Sequence, residues 1–152
     1  MSTRDEQFIS NHCNILNRCF EQFFKKPLCE FRGGKPLFID FDQTKRVIVS
    51  HGLENDPIFN YANKTALDLF EMNWSEFTSM PSRYSAEKLE REERDILLKE
   101  VSEKGYSSKY SGVRRSKSGR RFMINEAKVW NLIDLKGNFY GQAATFDRWN
   151  YI

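Results

Sequence analysis

The final third of the chain alternates between apolar and polar residues. Three stretches carry the pattern, Lys109 to Ser116, Arg121 to Ile133 and Phe139 to Phe146. They are separated by Lys117-Ser118-Gly119 and by Asp134-Leu135-Lys136-Gly137-Asn138, both rich in turn formers. A period of two sends successive side chains to opposite faces of a strand, so this region predicts a three-stranded antiparallel meander. In its longest strand strict alternation puts Phe122, Ile124, Trp130 and Leu132 on one face and Met123, Ala127, Val129 and Ile133 on the other. Both faces are apolar, and the rest of the chain must cover them.

The first 44 residues offer one cover. From Thr3 to about Lys25, Phe8, Ile9, Cys13, Leu16, Cys19, Phe20, Phe23 and Phe24 recur at threes and fours, the spacing of an amphipathic helix. Thr3 and Glu6 form a capping box at its start, and Lys25-Lys26-Pro27 supply a cationic end and a stop. This helix packs on the sheet or on a partner. The stretch from Cys29 to Gln43, with a Gly33-Gly34 turn signal, reads as a linker in which Leu37 to Phe41 is a strand or an ordered connection.

From residue 45 a second unit begins. Val47 to Ser50 and Ile58 to Tyr61 read as two short strands joined by a polar loop. Asn63 caps a helix over Lys64 to Phe70, and Ser75 starts a brief turn toward Phe77. After the loop Met80-Pro81-Ser82-Arg83-Tyr84, Ser85 caps a charged helix that Gly105 ends, with a narrow stripe of Leu89, Ile96, Leu97 and Val101. If the early strands join the meander, the result is an α+β domain over 45–152. It has a five-stranded antiparallel sheet with short helices on one face.

Composition narrows the function classes. In 152 residues, 24 basic against 21 acidic side chains leave a net charge of +3, short of the concentrated positive field of a nucleic-acid binder. The basic turn Arg114 to Arg121 reads as a solvated edge whose like charges oppose strand addition. No apolar run approaches the roughly 20 residues of a membrane span, and the polar start lacks a signal-peptide core, so a cytoplasmic protein is expected. Cys13, Cys19 and Cys29 match neither a redox pair nor a zinc set and read as reduced structural thiols.

The region from Ser50 to Trp149 resembles the MEKHLA domain, a branch of the PAS-like sensory fold. The matching strings include Ser50-His51-Gly52, Asp56-Pro57-Ile58-Phe59-Asn60-Tyr61-Ala62-Asn63, Met80-Pro81-Ser82-Arg83, Gly119-Arg120-Arg121-Phe122, Val129-Trp130-Asn131-Leu132 and Gly141-Gln142-Ala143-Ala144-Thr145-Phe146. The string that gives the family its name is absent, as are the homeodomain and zipper that accompany it in plant transcription factors. The resemblance therefore implies the standalone module only. It implies a cavity between the sheet's inner face and the short helices, signalling through flanking helices that often dimerise, and no catalysis. A homodimer through the N-terminal helix is expected.

Candidate site residues follow from chemistry. Arginines on a pocket wall hold carboxylates or phosphates bidentately. Arg83, Arg94, Arg114 and Arg121 are the candidates, with ion pairing to Glu87, Glu90, Glu92 and Glu93 as their ordinary alternative. Arg83 and Arg94, at the start of the charged helix, are expected to bound a pocket for a small anionic or aromatic metabolite together with Asn60, Tyr61, Tyr110 and Trp130. His51 reads first as a hydrogen-bonded strand-end residue and second as a ligand contact. No motif for haem, cysteinyl-flavin or a metal is present. Two other classes remain open. One is a cone-shaped isomerase or dehydratase using His51, Asp56 or Glu126, and the other is a homodimerisation scaffold whose cavity is filled by its own rings.

Overall fold

The computed structural model describes residues 5–86 and 91–152. In chain order these form α1 (Glu6–Phe24), α2 (Leu37–Gln43), β1 (Val47–His51), β2 (Phe59–Ala62), α3 (Lys64–Phe70), α4 (Trp74–Phe77) and a 3-10 turn, Ser82–Ser85. Then follow α5 (Arg91–Lys104), β3 (Tyr106–Arg115), β4 (Arg121–Ile133), β5 (Phe139–Phe146) and β6 (Arg148–Tyr151). The sheet is antiparallel in the order β2-β1-β5-β4-β3, so the two early strands do join the meander. The sixth strand adds no sixth position. It extends β5 along the same edge of β4, with Lys128 opposite Thr145 and Asn125 opposite Arg148 in one continuing register.

Local chemistry explains most boundaries. Asp5 caps α1 by accepting from the Gln7 and Phe8 amides, and Lys25 ends the helix in the left-handed region at φ 61°. Thr3 lies outside the described residues, as do 87–90, where the charged helix was expected to begin. Ser85 belongs instead to the 3-10 turn, donating its hydroxyl to the Ser82 carbonyl. Asn73, not Ser75, caps α4, in a reciprocal box with Glu76. Asn63 does more than cap α3. Its Oδ1 accepts from the Ala66 and Ile48 amides and its Nδ2 donates to the carbonyls of Phe41 and Arg46, which joins α3, β1 and the end of α2.

Leu37 to Gln43 forms a helix rather than a strand or linker. Phe41 is fully buried, facing Phe31 and Tyr61, and about two turns of helix aim it there.

Each face of the sheet carries its own core. On one face α1 buries Ile9, Cys13, Leu16, Cys19 and Phe20 against Ile48, Tyr61, Trp130 and Leu132. The Phe20 and Trp130 rings meet edge-on at 4.9 Å. On the other face α3 and α4 bring Ala66, Leu69, Phe70 and Phe77 against Val47, Val49, Phe59, Phe122, Ile124, Ala127 and Phe146. Strict alternation along β4 does not hold. Phe122 and Ile124 share a face with Ala127, while Trp130 and Leu132 lie on the opposite face. The cause is a bulge: Glu126 sits at φ 51°, and three steps on β4 from Ile124 to Ala127 match two on β3 from Gly112 to Tyr110. One extra residue reverses the phase of everything after it. Among the described residues no helix is long and apolar enough to cross a membrane.

Candidate functional site

Between the α3–α4 face of the sheet and α5 lies a cavity of about 70 Å³. Most of its wall is apolar, with Val49, Phe59, Phe70, Leu97, Ile124 and Phe146 among the lining residues. Into this wall the fold sets two arginines, Arg94 from α5 and Arg114 from β3, only 5% and 8% exposed.

Among the described residues their partners are mostly neutral. Arg94 donates to Ser82 Oγ, and through Nη1 to Asp95 at 3.2 Å, but the Asp95 carboxylate is 71% exposed and its charge is largely spent on solvent. Arg114 donates through Nη1 to the Val113 carbonyl at 3.0 Å and through Nη2 to the Tyr110 hydroxyl at 2.7 Å. Burial, and after it the nearby charge of Arg114, lowers the Arg94 pKa to about 10. Holding two like charges out of water costs several kcal/mol per ion in general, unless an opposite charge joins them. Gly112 makes the arrangement possible. A Cβ there would lie 2.6 Å from Tyr110 Oη and 3.2 Å from Arg114 Nη1, so any larger residue would push the pair apart.

His51 reaches the same cavity from the end of β1. Its Nδ1 lies 3.1 Å from the Gly52 carbonyl, a contact that forms only if Nδ1 carries the proton. Nε2 is then a bare acceptor, and it is buried with no hydrogen-bond partner among the described residues. Burial lowers the His51 pKa to about 4, with the Arg94 charge acting in the same direction, so the ring is neutral at physiological pH. Gly141 of β5 lets β1 come this close, since a Cβ at its φ of 154° would lie 2.3 Å from the His51 carbonyl oxygen.

An open cleft of about 260 Å³ between α5, the loop after β1 and the start of β5 shares His51, Arg94, Leu98 and Gln142 with the cavity. These residues separate the interior from solvent. Gln142 holds α5 on the sheet, its Nε2 lying 3.0 Å from both the Leu98 carbonyl and Ser102 Oγ.

Of the residues selected from sequence, His51, Arg94 and Tyr110 stand together on the cavity wall. The others do not join them. Tyr61 and Trp130 belong to the core under α1, Trp130 because the β4 bulge turns it there. Asn60 accepts from Ser50 Oγ at 2.5 Å rather than facing the cavity. Arg83 pairs with Asp56 at 2.9 Å, both half-exposed and outside the cavity. Arg114, a candidate pocket-wall arginine in the sequence but outside the expected pocket set, lines the site together with Ser82, Ser85 and Gln142, which the sequence did not single out. Tyr110, Gly112 and Arg114 share one strand face, and that alternation was the available signal for Arg114. Among the described residues no group of three or more His, Cys, Asp or Glu side chains could hold a metal ion.

An antiparallel sheet of this strand order, helices on both sides and a cavity on one, is the architecture of PAS domains. Solved structures agree. A PAS domain from Colwellia psychrerythraea superposes with a TM-score of 0.63 at 15% identity, over 75% of this chain and 92% of that one. A PAS domain from a two-component sensor histidine kinase gives 0.59 at 17% identity, over 76% and 92%. A light-oxygen-voltage domain studied with a flavin analogue gives 0.60 at 16%, over 78% and 86%. The MEKHLA domain model matches residues 10–151, and the chain belongs to that family. The match takes in most of α1, so the helix is part of the domain rather than an appendage to it. No curated protein matches the sequence. A flavin does not fit here. The cavity falls far below the roughly 300 Å³ at which drug-sized sites begin, and no cysteine lines it.

Proposed function

We propose that the protein is a non-catalytic sensory module whose cavity takes a small anionic metabolite. One observation carries this reading: two nearly fully buried arginines share a small apolar cavity and spend most of the hydrogen bonds they make to described residues on hydroxyls and carbonyls. An anion between them would add the opposite charge that among the described residues only the solvent-exposed Asp95 supplies, and would take bidentate hydrogen bonds in a low-dielectric setting. The cavity counts against a scaffold filled by its own rings. The PAS strand order counts against a cone-shaped enzyme. In this reading α1 is the output element, and a homodimer formed through it would use residues its own sheet leaves exposed, Phe8 among them.

Isothermal titration calorimetry with formate, acetate, phosphate and sulfate tests the reading. Binding of at least one anion is expected for the native chain, with loss of that binding in Arg114→Met and in Arg94→Met. If none binds, or if both variants bind as tightly as the native chain, the cavity is not an anion site.

A further inference from the structure

Charge alone does not use everything the cavity offers. His51 lines the same cavity as the two arginines, and its buried Nε2 accepts from nothing among the described residues. A buried acceptor left without a donor forfeits about 1–3 kcal/mol, so a ligand that donates there gains what a plain anion cannot. Sulfate or a plain carboxylate brings only acceptors to His51, and phosphate, which keeps an O–H at neutral pH, has no hydrocarbon part for the apolar wall. A bound ammonium would donate, but it would sit beside two guanidinium groups and repel them. A hydroxyl donates without charge.

Size and lining limit the rest of the molecule. About 70 Å³, where one water needs roughly 10–15 Å³ of such space, leaves room for roughly half a dozen heavy atoms. The wall away from the polar groups is made of aliphatic and phenylalanine side chains, which suit a short hydrocarbon segment rather than a second charge.

Resting on the anion-binding reading above, we infer that the ligand is a short-chain hydroxycarboxylate. Its carboxylate lies between Arg94 and Arg114, its hydroxyl donates to His51 Nε2, and its carbon skeleton faces the phenylalanines. His51 is then the specificity-determining residue and the arginines supply affinity.

The test compares matched acids by calorimetry on the full chain: propanoate, 2-hydroxypropanoate and pyruvate, then butanoate and 3-hydroxybutanoate. At least one hydroxy acid is expected to bind about tenfold more tightly than its parent, the equivalent of one well-made hydrogen bond. The keto acid, an acceptor in place of a donor, gains nothing. In His51→Phe the preference shrinks to less than threefold while the parent acid binds as before. His51→Gln, whose amide oxygen can still accept, keeps part of it. Should His51→Phe not fold, the ring nitrogens of the native protein serve instead. The Nε2 resonance of ¹⁵N-labelled His51 should shift on adding the hydroxy acid and stay put with the parent. Equal affinities for parent, hydroxy and keto acids would overturn the inference and leave anion binding intact. Binding of phosphate or sulfate with no carboxylate bound would do the same. If no anion of any kind binds, both readings fall together.

Discussion

The two buried histidines of this chain face opposite sides of one sheet and meet opposite fates. His12, under α1, has both ring nitrogens committed. The Tyr140 hydroxyl lies 3.0 Å from Nδ1, Nε2 is 2.8 Å from Ser50 Oγ, and Ser50 passes its own proton to Asn60. Burial keeps the ring neutral, and in a neutral ring only one placement of protons satisfies that chain, with Tyr140 donating to Nδ1 and Nε2 donating to Ser50. His51, one residue along from Ser50 and turned to the other face, is also neutral but has a nitrogen to spare. A completed chain of hydrogen bonds is architecture; an incomplete one beside two buried cations is a place for something else. Ring packing under α1 likewise contrasts with the cavity under α5.

The largest effect should come from opening the closed face. Trp130 is fully buried among Phe20, Phe24 and the rest of the α1 core. Trp130→Ala is expected to lower unfolding stability by about 3–5 kcal/mol, as large-to-small core substitutions do, measured by urea denaturation. The folded fraction should bind anions as the native chain does. A loss below about 1 kcal/mol would mean that α1 is only loosely docked, and the contrast between the faces would weaken.

Acid should act on both faces at once. Burial lowers the pKa of His12 and of His51 to about 4 from an ordinary 6.5. The unfolded chain therefore binds protons that the folded chain refuses. Stability should be level above pH 6.5 and fall as the pH drops toward 4, by about 3 kcal/mol for each ring. Urea titrations at pH 7.5 and 4.5 check this, and His12→Gln should remove about half of the difference. Saturation with a ligand that donates to His51 should leave the His12 share untouched. A stability unchanged between the two pH values would show that neither ring is held neutral by the fold.

Much of the framework was legible in the sequence because local chemistry and global fold agree there. Asn63 caps α3 as its residue type suggests, and the bounds of β4 and β5 follow the alternation. What failed depended on geometry that no residue type announces. Glu126 in a left-handed conformation is not a turn signal, yet it reverses which half of β4 faces the cavity and takes Trp130 out of the site. Leu37 to Phe41 is too short for its period to separate strand from helix, and burial of Phe41 decides the matter. Arg83 and Arg114 illustrate the same limit. Nearness to the long helix favoured Arg83, whereas the strand phase shared with Tyr110 selects Arg114.

Those two arginines supply the finest test. Arg83 lies half-exposed against an equally half-exposed Asp56, and exposed pairs contribute little. Arg83→Ala should therefore leave both the unfolding midpoint and anion affinity where they were. Arg114→Met removes a buried cation whose hydrogen bonds to described residues go to a hydroxyl and a carbonyl, and fills the space with apolar surface. Substitutions of that kind are neutral or stabilising by about 1 kcal/mol or more, while binding should disappear. Greater stability together with lost binding would mark Arg114 as a residue kept for its ligand at the expense of the fold. A loss of about 3 kcal/mol would mean that its charge is already neutralised within the protein, and the cavity would then lose its reason to attract an anion.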